Sequence, residues 1–273
     1  MRHALFAGLL VMAGLATATP AQTQEPVLLH AAGSLRATLT EVAQAFTAQS
    51  KLAVKPVFGA SGLLKDRIAK GEAAEVFASA DLGNPRALAQ AGLAGPVVLF
   101  ARNELCAFAR PEIALTPETL LERMLEPAIK LGTSTPRADP SGDYAFQVFP
   151  RAETVKPRAK AALEAKALLL TGGPTSVPAP DGINTYGHKL ASGEADLFLA
   201  YCTNAASIAK EQPGIRLVRL PPTLAVGADY GLTVMNGASP NAWRFAMFIL
   251  SQDGQAILAR HGFAAPTLPR EAG

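Results

Sequence analysis

The sequence is short of charge, of cysteine and of long uniform runs, and each shortage removes a class of protein. Charged residues make up only 17% of the 273, and the formal net charge of +3 is spread without a Lys/Arg run. The electrostatic footprint of a nucleic-acid binder is therefore missing. The apolar run Ala4–Ala16 falls short of the roughly 20 residues that cross a bilayer, and no other stretch approaches that length. Enzyme signatures are absent as well. Gly59-Ala60-Ser61-Gly62-Leu63 has the wrong spacing for a G-x-S-x-G nucleophile elbow, and there is no G-x-x-x-x-G-K-[ST] or G-x-G-x-x-G loop. His30, His188 and His261 lie far apart, with no H-E-x-x-H or Cys/His spacing, so no zinc site is readable.

What is present is a core. An apolar fraction of 49% with so little charge is the balance of a globular protein and excludes disorder. The length suits one large α/β domain or two lobes of ordinary size. Arg2 and His3 precede the first apolar run, and Ala16-Thr17-Ala18 and Thr19-Pro20-Ala21 follow it with the small residues that a signal peptidase needs. Residues 1–21 thus read as a cleaved secretory signal, which implies export of the mature chain from the cytoplasm. In an oxidising compartment Cys106 and Cys202 can form one disulfide or remain two separately buried thiols; spacing alone does not decide between them.

The hydrophobic pattern alternates strand and helix. Strands are expected at 27–32, 53–58 and 75–80, with helices at 35–49, 63–70 and 85–91 between and after them. Residues 97–100 and 105–109 read as a strand pair or one bent strand. Further helices are expected at 118–125, 143–151, 156–165, 184–192, 241–250 and 254–261, and further strands at 130–132, 167–171, 197–201, 215–220 and 230–235. The stretch 172–182 carries three prolines and reads as a surface loop. The fold class is α/β, with two lobes, each a mostly parallel sheet flanked by helices. Lobe I takes residues 25–101 and 229–273, lobe II takes 102–228, and the chain crosses a hinge twice.

In an open α/β sheet, ligands bind beyond the carboxyl ends of the strands. Ser34 (AAGSLR) and Ser61 (GASGLL) sit where the first two strands hand over to helices. Each offers a hydroxyl beside the orphan N–H groups of a helix first turn, an arrangement that attracts anions. A plain N-cap, worth about 1 kcal/mol, would use the same residue types. The glycines around both serines let a ligand approach the backbone closely, which a cap alone does not need.

The stretches LLHAAGSL (28–35), VFGASGL (57–63), AEVFASAD (74–81), ASGEADLFLAYCTNA (191–205) and 230–266 together resemble the periplasmic molybdate-binding proteins of ABC transporters. FILSQDGQAILARHGF (248–263) is similar to the final helices of many bacterial solute-binding proteins. The resemblance implies two lobes closing on a dehydrated tetrahedral oxyanion, molybdate or tungstate, with Ser34 and Ser61 as donors from lobe I. From lobe II it implies the Tyr201 hydroxyl, the helix start at Ser141, and a second helix start at Ile183; Asp139, Gly142 and Asn184 are additional candidates. It implies a membrane permease of an ABC importer as partner, no cofactor, a monomer, and no catalysis.

The sequence departs from that pattern in two places. Asp139-Pro140-Ser141-Gly142, with Asp143 and Tyr144, looks more like a tungstate-binding branch in which carboxylates reach the anion, yet Ala200 stands where that branch carries an acid. Asp139 could equally cap its helix. The proline-rich loop reads as an insertion ahead of Ile183. Built from donors alone, such a site would favour a larger dianion and penalise a protonated phosphate, whose O–H would find no acceptor. Receptors for sulfate, phosphate or an organic anion share the architecture. A periplasmic phosphate- or sulfate-ester enzyme would need Asp139, Asp143 or His188 as acid or base.

Overall fold

In the computed structural model, which describes residues 25–266, the sheet is seeded by β1 (Val27–Ala32), an almost wholly buried VLLHAA strand. Such a continuous apolar run suits a strand covered on both faces. It pairs in parallel with β2 (Val54–Gly59) and β3 (Val76–Ser79). Between them, α1 (Arg36–Ser50) buries Leu39, Val42, Ala43 and Phe46, the helical spacing that faces a core. Two shorter helices, α2 (Ser61–Ala69) and α3 (Gly83–Gln90), follow β2 and β3. The secretory signal expected at 1–21 lies outside the described residues.

The bent-strand alternative at 97–109 is the one formed. A single strand, β4 (Val98–Ala109), joins the two halves of the sheet. Its first part, to Glu104, pairs with β9 (Gly227–Val234), whereas residues from Leu105 pair with β7 (Leu197–Tyr201) and β8 (Arg216–Arg219). Beyond β7 lie β5 (Leu131–Ser134) and β6 (Leu168–Thr171), both parallel to their neighbours. Every antiparallel strand pairing among the described residues involves β4 or β9, the edge strand β8 included; β1 with β2 and β3, and β5 with β6 and β7, pair in parallel, as expected. Nine strands form one curled sheet, consistent with two lobes joined through β4 and β9.

Lobe II is flanked by α4 (Leu120–Leu125), α5 (Pro140–Val155), α6 (Ala159–Lys166), α7 (Thr185–Ala191) and α8 (Ala205–Glu211). Back on the first half, α9 (Pro240–Leu250) and α10 (Gln252–Arg260) pack on α1, where the Phe46 and Phe245 rings meet edge to face at 5.1 Å. Among the described residues no helix is long and apolar enough to cross a membrane.

Several boundaries differ from expectation, and one helix is additional. Helix α5 begins at Pro140 rather than Asp143, because the Asp139 carboxylate accepts the Ser141 N–H and a proline in the first turn loses no helical hydrogen bond. Helix α8 was not anticipated; it is a single short turn-and-a-half that buries only Ile208, too little to leave a periodic signal. Strand β9 begins at Gly227, ahead of Tyr230, because its first residues pair with the hinge part of β4. The structure joins Cys106 of β4 to Cys202 in a disulfide.

Candidate functional site

At the carboxyl ends of β1, β2 and β7 lies a cavity of about 510 Å³ lined from both halves of the molecule, among others by Ser34, Ser61, Asp139, Asn184 and Tyr201. The first half contributes two helix starts. After β1 a tight 3-10 turn, Gly33–Leu35, carries Ser34 into α1, and after β2 Ala60 leads into Ser61 at the start of α2. Neither start has a side-chain cap, so neither serine is the plain N-cap that the sequence also allowed.

Both hydroxyls are held so that they can donate into the cavity. Ser61 Oγ accepts the Ala80 N–H at 3.1 Å, which leaves its own proton free for another partner. Ser34 Oγ lies 3.0 Å from Tyr230 Oη. Asn103 Nδ2 donates to that phenol at 3.3 Å and to Thr203 Oγ1 at 2.8 Å. With Asn103 donating, the Tyr230 proton can go to Ser34, and the Ser34 proton is directed onward. Tyr230 is buried and its phenol is pushed far up by that burial, so it stays a neutral donor.

The second half is finished differently. Tyr201 ends β7 with its ring between Tyr144 and Tyr230, at centroid distances of 6.2 and 5.6 Å. Its buried hydroxyl completes no hydrogen bond of normal geometry within the protein, and burial raises its phenol well above 10. A neutral phenol with a proton to give therefore faces the cavity. Asp139, by contrast, is already engaged. Its Oδ1 accepts the Ser141 N–H at 3.0 Å, and a Cβ at Gly172 (φ +73°) would stand 2.4 Å from its carboxylate. Burial pushes its pKa up to about 6; hydrogen bonds from the Ser141 N–H and the Ser134 hydroxyl oppose that rise, and Asp143 and Asp81 add to it.

The remaining expected residues are placed unevenly. Ser141 and Gly142 do not line the cavity. Ser141 is buried behind Asp139, with a hydroxyl that completes no hydrogen bond of normal geometry. Gly142 packs so closely that a Cβ would lie 2.5 Å from Ser134 O. Ile183 is on the rim, 41% exposed, and its N–H bonds to Pro180 O at 3.1 Å. Asn184 donates its N–H to Glu211 Oε2 at 2.7 Å and caps α7 by accepting from Tyr186 N and Gly187 N. The cavity is not lined by donors alone, since Asp139 and Glu211 are both in it; the argument from a donor-only site against a protonated anion does not hold for this chain.

Where the halves meet, the Gly62 N–H donates to Ala138 O across the cleft at 2.9 Å. A Cβ at Gly62 would lie 2.3 Å from Arg137 O, so this contact requires glycine. Gly62, Asn103, Gly172 and Tyr230 are not among the residues that the sequence points to. The tight glycine pattern GASG was the one readable hint for Gly62; Asn103 and Tyr230 meet only through the β4–β9 register, which no local pattern reports. No group of three or more His, Cys, Asp or Glu side chains suited to a metal ion occurs among the described residues.

Comparison with known proteins agrees with this architecture. A family model described as bacterial extracellular solute-binding protein matches residues 27–264. Protein PM1146 of Pasteurella multocida, itself uncharacterised, is 36% identical over 203 residues, 74% of this chain and 84% of its own. The molybdate-binding protein ModA of Mycobacterium bovis is 26% identical over 261 residues, 91% of this chain and 88% of its own. Among solved structures, the periplasmic molybdate-binding protein of Azotobacter vinelandii superposes with a TM-score of 0.70 at 21% identity, covering 88% of this chain and 99% of that one. The sulfate-binding protein SubI of Mycobacterium tuberculosis superposes with a TM-score of 0.73 at 17% identity, covering 89% and 88%. ModA and the two solved structures are named as binding proteins, not enzymes.

Proposed function

We propose that this chain, which belongs to the bacterial extracellular solute-binding protein family, captures a tetrahedral oxyanion, molybdate or tungstate, and delivers it to the membrane permease of an ABC importer. The observation that carries the reading is the convergence of three available hydroxyls, Ser34, Ser61 and Tyr201, on one cavity between two sheet halves. Lobe I is assigned residues 25–101 and 229–273 and lobe II residues 102–228, in keeping with the change of partner within β4 after Glu104. The mature protein, freed of residues 1–21, works as a periplasmic monomer without a cofactor.

Capture follows from the donors. The uncapped starts of α1 and α2 direct hydroxyls and first-turn N–H groups toward an anion, apart from the Gly62 N–H, which is bonded to Ala138 O. Closure of the second half brings the Tyr201 phenol and excludes water, which strengthens each hydrogen bond to the charge. Ser141, Ile183, Gly142 and Asn184 belong to the supporting wall in this reading, because the Ser141, Ile183 and Asn184 N–H groups already bond within the protein.

A second reading has one observation in its favour. A cavity near 510 Å³ is in the range of drug-sized ligands, whereas four oxygens at a water's share of volume need only about 120 Å³. Sulfate and phosphate share the oxyanion's shape, and a phosphorylated or carboxylated organic anion would use the spare room. Isothermal titration of ligand-stripped mature protein with molybdate, tungstate, sulfate, phosphate and an organic phosphate in turn separates the cases. One-to-one binding in which molybdate or tungstate leads by at least tenfold supports the proposal. Preference for the organic phosphate transfers the site to the second reading, and no heat from any of them sinks both.

A further inference from the structure

The carboxylate of Asp139 sits where the helix start of α5 would otherwise receive an anion. It takes the Ser141 N–H, it fits only because Gly172 lacks a side chain, and it lines the same cavity as Ser34, Ser61 and Tyr201. Helix α5 spans 16 residues, so the positive end of its dipole is substantial, and the protein has already given that end an anion of its own. We propose that Asp139 couples anion capture to a proton: an oxyanion enters the cleft together with one proton, held on the Asp139 carboxyl or shared between it and the ligand. This inference rests on the oxyanion reading of the site.

The physical reason is the charge that acts on that carboxylate. Asp143 on α5 and Asp81 after β3 act on it with charges of its own sign, the Ser134 hydroxyl on β5 bonds to it, and the phenols facing it, Tyr186 on α7 and Tyr201 on β7, are neutral. The backbone N–H of Arg137 donates to Asp143 Oδ1 at 2.8 Å, and the Arg137 charge acts on Asp143. Arg36, across the cavity, lies over the Phe58 ring. A dianion added to an ionised Asp139 in a site screened from water would meet repulsion larger than a single hydrogen bond returns. Neutralised, the same carboxyl becomes a donor, and its O–H can bond to the anion. A ligand that brings its own proton finds in Asp139 the acceptor that a purely donating site would deny it.

The sign of the pH dependence follows. Asp139 is raised toward about 6, so it is neutral below that pH and opposes a dianion above it. The test is titration of the mature protein and of Asp139→Asn with molybdate and with sulfate, both dianionic throughout, at pH 5.5, 7 and 8.5. Each pH is run in two buffers of different ionisation enthalpy, so that proton uptake is counted directly. Asparagine also caps helices well, so the variant keeps the α5 start, and its melting temperature verifies that. Wild type is expected to take up close to one proton per anion at pH 8.5 and to lose about tenfold in affinity per pH unit above about 6. Asp139→Asn should bind without proton uptake, equally at all three pH values, and more tightly than wild type at pH 8.5. Binding by wild type that is the same at pH 5.5 and 8.5 with no proton uptake overturns the coupling and leaves the oxyanion reading standing. Failure of wild type and variant to bind either anion at any pH overturns the oxyanion reading, and the coupling with it.

Discussion

The helix starts on the two sides of the cleft are finished in opposite ways. In the first half, Ala60 stands at the cap of α2 and no side chain caps α1; the serines lie inside the turns with protons to spare. In the second half, Asp139 and Asn184 cap α5 and α7 with their own side chains. An uncapped start leaves its orphan donors to a ligand, whereas a capped one is stable without it. The difference teaches that the two lobes do not share the work evenly: lobe I presents donors, and lobe II presents the Tyr201 phenol, carboxylates including Asp139 and Glu211, and a surface to close with.

The largest effect expected from breaking this contrast is on lobe II itself. The Cys106–Cys202 bond ties β4 to the residue after Tyr201, across a sequence separation of 96. Removing it, as Cys106→Ala with Cys202→Ala, should cost about 3 to 5 kcal/mol of unfolding free energy, read from chemical denaturation. Tight binding that survives such a loss would show that Tyr201 does not depend on the tether. Next come the lobe I donors. Ser34→Ala and Ser61→Ala should each weaken anion binding by about 1.5 to 3 kcal/mol, the scale of a hydrogen bond to a charge; Ser61→Ala should also lower the melting temperature, because it leaves the buried Ala80 N–H without its acceptor. Equal affinity in both variants would remove these residues from the site.

A smaller effect is expected at the seam. Gly62→Ala places a methyl against the backbone of Arg137 and removes room for the bond from Gly62 N–H to Ala138 O. The lobes should then stop short of full closure, with a loss of about tenfold in affinity and, by small-angle scattering, a larger liganded radius than wild type. A normal liganded radius would mean that the contact yields easily. Least affected should be binding in Asn184→Ala, where the α7 cap is lost. That change should cost about 1 kcal/mol of stability and leave affinity within twofold, because the Asn184 groups are already bonded to Glu211, Asn204 and Ser207. A large loss of affinity there would restore lobe II as an equal donor.

The parts of this account that were legible in the sequence are those with local causes. Buried strands such as VLLHAA and the spacing of Leu39, Val42 and Phe46 in α1 follow from periodicity, and the serine turns follow from their glycines. Asp139-Pro140 is legible as a cap signal, and the cap is formed; the helix expected to start at Asp143 starts three residues earlier, at Pro140. The pairing of Ser34 with Tyr230, the reach of Asn103 and the seat that Gly172 leaves for Asp139 come from strand register and from segments 30 or more residues apart. No local pattern encodes them. The donor-only picture of the cleft failed for the same reason.

The central claim is that an oxyanion is held mainly by lobe I and sealed by lobe II, and the anomalous scattering of tungsten in crystals of the mature protein grown with tungstate tests it most directly. The account predicts a single strong peak in the cleft, within hydrogen-bonding reach of Ser34 Oγ, Ser61 Oγ and Tyr201 Oη through the anion's oxygens. A peak seated instead at the α7 start near Ile183, or no peak in the cleft at all, would contradict it.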